Sequence, residues 1–184
     1  MWRDDNAPGL SGAGLLLEHH GGRRHDHRMM TSDIRDYCRE DFDALATLYQ
    51  RGKGDEFRLE PGFPERFPVI PLPSDEARLK AFGQSEALVV PGDRGLTGAI
   101  YWQTSHIVGL LVDPKARGRG IGRTLMSAAL ARMGEVATLD VVASNAPAIR
   151  LYESLNFQRV GQREGVYQGA AVAVLTMRRL YGHQ

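Results

Sequence analysis

The chain has 184 residues, a length that suits one domain with a real core. Its 23 lysines and arginines against 22 acidic residues leave a formal charge of +1, which gives no support to general attraction to nucleic acid or membrane. Cys38 is its only cysteine, so no intramolecular disulfide can form, and no apolar run is long enough to span a membrane. These features point to a cytoplasmic protein.

The first thirty residues differ from the rest. The apolar stretch Leu15-Leu16-Leu17 is too short for a signal peptide, and most basic residues follow it. His19, His20, His25, Asp26 and His27 could in principle hold a metal, but glycines and arginines surround them and a flexible arm is the expected reading. Downstream of residue 30 there is no Cys/His metal spacing, and no metal is expected. The expected organisation is an arm or over-extended start over 1–30 and a single domain over 31–184.

Asp33 to Tyr37 reads as a short strand. Asp41 to Tyr49 reads as a helix, with Phe42, Leu45, Leu48 and Tyr49 on one stripe. From Gly52 to Pro73 the chain is rich in glycine, proline and phenylalanine, so periodic structure is not expected. Ser74 to Phe82 reads as a second helix capped by Ser74. Ala87–Val90 and Leu96–Trp102 read as strands joined through Pro91–Gly95, and Ser105–Val112 as the next. A helix follows to about Met133, with Ile121, Leu125, Ala129 and Met133 on one stripe. Ala137–Val142 is the next strand, a helix begins near Asn145, and Phe157–Gly161 and Ala171–Arg178 supply final strands.

The densest information lies between Leu110 and Leu125. An apolar run stops at Asp113-Pro114, a glycine-rich basic turn follows, and a helical pattern begins at once. Glycines let backbone approach a ligand, and the unpaired N–H groups and dipole of a new helix favour an anion. Arg117, Arg119 and Arg123 add positive charge, so the ligand should carry phosphate, and a pyrophosphate is the best candidate. The turn lacks the Gly-Lys-Ser/Thr ending of a P-loop. Gly118 and Gly120 begin a Gly-x-Gly-x-x-Gly fingerprint, but Arg123 occupies the third position. What remains is Arg117-x-x-Gly120-x-Gly122 after a strand. It resembles the coenzyme A pyrophosphate loop of the GNAT superfamily of N-acetyltransferases. Asn145-x-x-Ala148-x-x-Leu151-Tyr152, ending at Asn156-Phe157, resembles that superfamily's second signature. Asn156 replaces the usual glycine, and asparagine also accepts the left-handed conformation that ends a helix. Asn145, Ala148 and Tyr152 share one helix face. The Leu139–Phe157 segment resembles the ribosomal-protein alanine N-acetyltransferase group.

The resemblance implies an α/β (α+β) fold: a single acyl-CoA N-acyltransferase domain with a mixed, mostly antiparallel sheet splayed between its fourth and fifth strands. It implies acetyl transfer from acetyl-CoA to a primary amine, either a small molecule or a protein N-terminus. The cofactor would bond the backbone of Leu110, Leu111 and Val112. Its pyrophosphate would lie on Arg117, Gly118, Arg119, Gly120, Ile121, Gly122 and Arg123, with Asn145, Ala148 and Tyr152 opposite. Tyr152 would serve as general acid to the leaving thiolate. Asp140, in an apolar strand where an unpartnered carboxylate is costly, is the first choice of base, with His106 as the alternative. The Gly52–Pro73 loop either lines the acceptor site or packs as plain surface. A non-catalytic CoA-binding module is the competing reading, nucleic acid and membrane are not expected partners, and a homodimer is a possible assembly.

Overall fold

The computed structural model describes residues 33–180; the expected arm and its histidines lie outside the described residues. The strands are β1 (Arg35–Asp36), β2 (Glu86–Gly92), β3 (Gly95–Gln103), β4 (His106–Val112), β5 (Val136–Val142), β6 (Gln158–Tyr167) and β7 (Ala170–Leu180). The helices are α1 (Phe42–Gly52), α2 (Glu76–Gly83), α3 (Ile121–Arg132) and α4 (Ala146–Glu153). The strands form one sheet in the order β1-β2-β3-β4-β5-β7-β6, antiparallel everywhere except at β4–β5. The mixed sheet and its flanking helices are those the resemblance implies.

Helix stripes decide the layers. Leu45, Leu48 and Tyr49 of α1 are buried with Val89, Ala99 and Leu111 on one face of the sheet. Ile121, Leu125, Met126 and Ala129 of α3 pack with Ile100, Leu139 and Met177 on the other. Because β-strand side chains alternate, Leu111 faces α1 while its neighbours Leu110 and Val112 pack toward α3. Thus β4 contributes to both cores.

Three boundaries differ from the sequence expectation. The cap of α2 is Asp75, whose carboxylate accepts from the Arg78 N–H at 3.0 Å, and not Ser74, which ends a short 3-10 turn. Strand β1 shrinks to two residues paired with Val89 and Leu88. Strand β6 runs to Tyr167, well past Gly161. It is an exposed, polar edge strand held by its ladder to β7 and by a tight turn in which Gln168 and Gly169 both have positive φ. A strand with no buried face leaves no alternating apolar signal to read.

Candidate active site

The sheet opens between β4 and β5. These parallel strands pair only at His106↔Thr138 and Ile107↔Leu139. Beyond that, β4 stays registered with β3 as far as Gly98↔Val112, and β5 stays registered with β7 as far as Val142↔Val174. Each strand is anchored on its outer side, so the two diverge. The pairing of β3 with β4 steps from Trp102↔Ile107 to Tyr101↔Gly109, leaving Val108 as the extra residue of a bulge. The bulge bends β4 where the split begins, and backbone groups of the 108–112 stretch lack a partner on the β5 side. Unpaired backbone beside a cavity needs a hydrogen-bonding ligand or water.

That gap runs into a cleft of about 920 Å³. At one end lies the turn before α3. Gly118 and Gly120 have φ of 75° and 84°, the left-handed region, and a Cβ at either would meet open space. Gly120 is the N-cap of α3 and offers no side-chain acceptor, so the first N–H groups of the helix are left for a ligand. Arg117 and Arg123 line the cleft, while the exposed Arg119 does not. Arg123 donates to Ser154 Oγ at 2.8 Å, and Arg117 forms an ion pair with Asp55 at 2.5 Å.

The floor is Tyr152. Asn145 caps α4, its Oδ1 accepting from the Ala148 N–H at 3.3 Å, and Pro147 lies in the first turn. Two turns on, Tyr152 is 8 % exposed and reaches the cleft, and its hydroxyl has no hydrogen-bond partner among the described residues. Burial pushes its pKa up, and the charge of Glu56 adds to the shift, so the phenol keeps its proton. Asn156 has φ of 65° and ends the helix as its residue type allows, returning Phe157 to pack near the Tyr152 ring.

Asp140 lines the same cleft, but its setting differs from the expected one. It sits on the exposed position of an otherwise half-buried strand, paired to Arg163 at 2.6 Å and accepting from Thr176 Oγ1 at 2.8 Å. The anticipated problem of a carboxylate in apolar surroundings does not arise. His106 Nδ1 meets Thr138 Oγ1 at 3.0 Å where β4 and β5 still pair, an arrangement that ties the two strands together.

The Gly52–Pro73 segment supplies what the sequence motifs did not. Phe57 and Phe67 stack at 4.8 Å and pack with Val142, Ala170 and Val172, fixing the segment to the end of the sheet. Ser144 Oγ donates to Glu60, joining it to the α4 approach. From this base the 3-10 turn Lys53–Phe57 presents Lys53, Asp55 and Glu56 to the cleft. Lys53 is ion-paired with Glu56, and burial lowers its pKa. Arg78 of α2, Tyr101 of β3 and Tyr167 of β6 complete this end. A Cβ at Gly109 would overlap the outer edge of the Tyr101 ring, so glycine there is what lets that ring cross β4 into the cleft. None of these positions carries a local motif; only the paired Lys and Glu in an aromatic-rich loop could have drawn attention.

Comparison with known proteins agrees with this architecture. Residues 65–157, about half of the chain, match the Acetyltransferase (GNAT) family. The N-alpha-acetyltransferase RimI of Mycobacterium tuberculosis is 46% identical over 76 residues, covering 40% of this chain and 46% of that protein. The chain thus spans about half the length of the curated relatives of this kind that it matches. Among solved structures, the ribosomal-protein-S18-alanine N-acetyltransferase from Escherichia coli shares the fold, with TM-score 0.62 and 20% identity over 82% of this chain and 94% of that one. The yncA structure from Salmonella typhimurium with its cofactor acetyl-CoA gives TM-score 0.58 and 23% identity over 82% and 94%. The family match spans the opened β4–β5 seam, the glycine turn before α3 and the Tyr152 helix, and the chain belongs to the GNAT family of acetyltransferases.

Proposed function

We propose that the chain moves an acetyl group from acetyl-CoA to a primary amine, a small molecule or a protein N-terminus. The observation that carries this reading is the conjunction at one cleft of unpaired β4 backbone, a helix start without a side-chain cap, and a phenol that opens to the cleft without a hydrogen-bond partner. These features fit the co-substrate: extended backbone for an amide-bearing arm, helix N–H groups and Arg117 and Arg123 for pyrophosphate, and Ala148 and Asn145 on the facing helix. Acetyl-CoA supplies an activated acyl carbon and a thiolate leaving group.

The remaining work falls to the chain. A β4 backbone N–H steadies charge on the carbonyl oxygen. The amine must lose a proton to attack, since an alkylamine is mostly protonated near pH 7. Tyr152 Oη faces the leaving sulfur as hydrogen-bond donor. Its raised pKa makes it a weaker acid than a thiol, so passing its proton to sulfur has to be coupled to the amine's proton reaching the phenol oxygen. Asp140 lines the cleft as base, paired with Arg163. Glu56 is a second base: it lines the same cleft as Tyr152, and its charge adds to the upward shift of the phenol pKa. Comparing Asp140→Asn with Glu56→Gln separates them, because loss of the base removes the acidic limb of the kcat/KM profile.

Calorimetry with CoA, followed by a screen of amines and N-terminal peptides read by free CoA release, tests the whole reading. Absence of CoA binding by folded protein overturns it; binding without turnover on any acceptor favours the non-catalytic module. The division at residue 30 is tested in the same assay: a chain lacking residues 1–30 is expected to fold and bind CoA unchanged.

A further inference from the structure

The acceptor end of the cleft holds an under-used cation. The Arg78 side chain is 24% exposed, yet its carboxylate neighbour Asp75 stands 3.9 Å from Nε and is already engaged in capping α2. Tyr101 lines the same cleft. A planar fork of five donors is thus left with one loose charge partner at a cleft wall. Lys53 brings a second cation, with Nζ 5.9 Å from the ring centroids of Phe57 and Tyr167. The carboxylates of the cleft lining do not satisfy this corner: Asp55 is tied to Arg117, Asp140 to Arg163 and Glu56 to Lys53.

We propose that this corner is a carboxylate subsite, and that the acceptor is an amine that also carries a carboxylate, held by Arg78 and the Tyr101 hydroxyl with its amine directed to Glu56 and Tyr152. This inference rests on the acetyl-transfer reading above and narrows its acceptor. A fork–fork contact with Arg78 is the geometry that a guanidinium offers a carboxylate. The carboxylate also supplies acceptor oxygens for the Arg78 donors that Asp75, at 3.9 Å, does not engage. Two sources present this chemistry: a free amino acid, and a peptide with an acidic residue beside its N-terminus.

The test uses matched acceptors. Free amino acids are compared with their amides, and N-terminal peptides bearing Asp or Glu in second position with their Asn or Gln counterparts, by free CoA release from acetyl-CoA. In the parent protein, conversion of carboxylate to amide is expected to lower kcat/KM roughly tenfold or more in whichever series is the source, the scale of a lost charge-assisted hydrogen bond. In Arg78→Met the acid-to-amide ratio is expected to fall close to one. Equal use of acids and amides by the parent overturns the subsite while leaving acetyl transfer standing. If no acceptor turns over, binding decides: with CoA present, an N-acetyl amino acid or N-acetylated acidic peptide is expected to raise Tm where its amide does not. Equal shifts, or none, overturn the proposal. This arm needs no variant, so an Arg78→Met protein that fails to fold does not blunt it.

Discussion

The two ends of the cleft are built by different means. At the α3 end the features open to a ligand are mainly backbone: two glycines with positive φ, a helix start without a capping side chain, and a strand edge left open by its neighbour's divergence. At the α2 end it is side chain, with Lys53, Glu56, Arg78, Tyr101 and Tyr167 arriving from four separate elements. Backbone geometry demands particular residue types at fixed spacing, so the first end writes a motif into the chain. Side chains converging from distant elements need no fixed spacing, so the second writes none. The contrast matches the division of labour in the proposed reaction, with an invariant co-substrate at one end and a variable acceptor at the other. Tyr152 lies between them, and the Asp55–Arg117 pair links them directly.

The largest expected effect falls where the two ends meet. Tyr152→Phe keeps the ring and should leave CoA affinity and Tm nearly unchanged, while turnover falls by about 10²-fold or more. The loss should sit in kcat more than in KM, because the contact strengthens only as charge develops on sulfur. Steady-state kinetics beside calorimetry measure this, and parent-rate turnover would reduce Tyr152 to a packing residue.

Next is the backbone end taken alone. Gly120→Glu puts a side chain and a negative charge at a left-handed position, where an L-residue costs about 1–2 kcal/mol. CoA affinity by calorimetry should fall roughly tenfold or more, since about 1.4 kcal/mol is a factor of ten. A folded variant with parent affinity would remove the loop from the cofactor site.

A smaller effect tests the link between the ends. In the free protein Asp55 competes with any phosphate for Arg117. Asp55→Asn should therefore tighten CoA binding by about two- to fivefold, in keeping with the worth of a part-exposed pair. The gain should shrink as salt is added. Weaker binding in Asp55→Asn would mean that the pair positions Arg117 and does not restrain it.

The smallest effect on CoA binding belongs to a control away from both ends. Asp41 accepts two hydrogen bonds from Arg35, at 2.6 and 2.7 Å, and this pairing holds its carboxyl well below the ordinary range. Because the folded pKa is depressed, the contribution is fully present above the unfolded value of about 3.9 and is lost as pH falls below it. Denaturation of the parent and Asp41→Asn should differ by about 1 kcal/mol near neutral pH, and the gap should close in acid. CoA binding near neutral pH should not change. A constant gap down to the acid range would mean that the pairing contributes nothing to stability.

Sequence alone determined the local features. The apolar stripes of α1 and α3 follow from a 3.6-residue period, and both are buried as that period requires. The turn before α3 and the close of α4 were legible because Gly118, Gly120 and Asn156 are residue types that those backbone conformations select. The tertiary structure decided whatever depends on partners distant in the chain. Strand β6 extends to Tyr167 because β7 supplies its ladder, although its own residues are exposed and polar. Asp140 looked like a carboxylate in need of a partner, and Arg163 on the neighbouring hairpin supplies one. Lys53, Glu56 and Arg78 were unremarkable charges until the Phe57–Phe67 stack fixed the Lys53 loop against β7 and α2 brought Arg78 into the cleft that Tyr101 lines. Periodicity and turn chemistry act within a few residues and survive in the sequence. Charge pairing and cavity shape arise between segments whose separation along the chain carries no information about their distance in space.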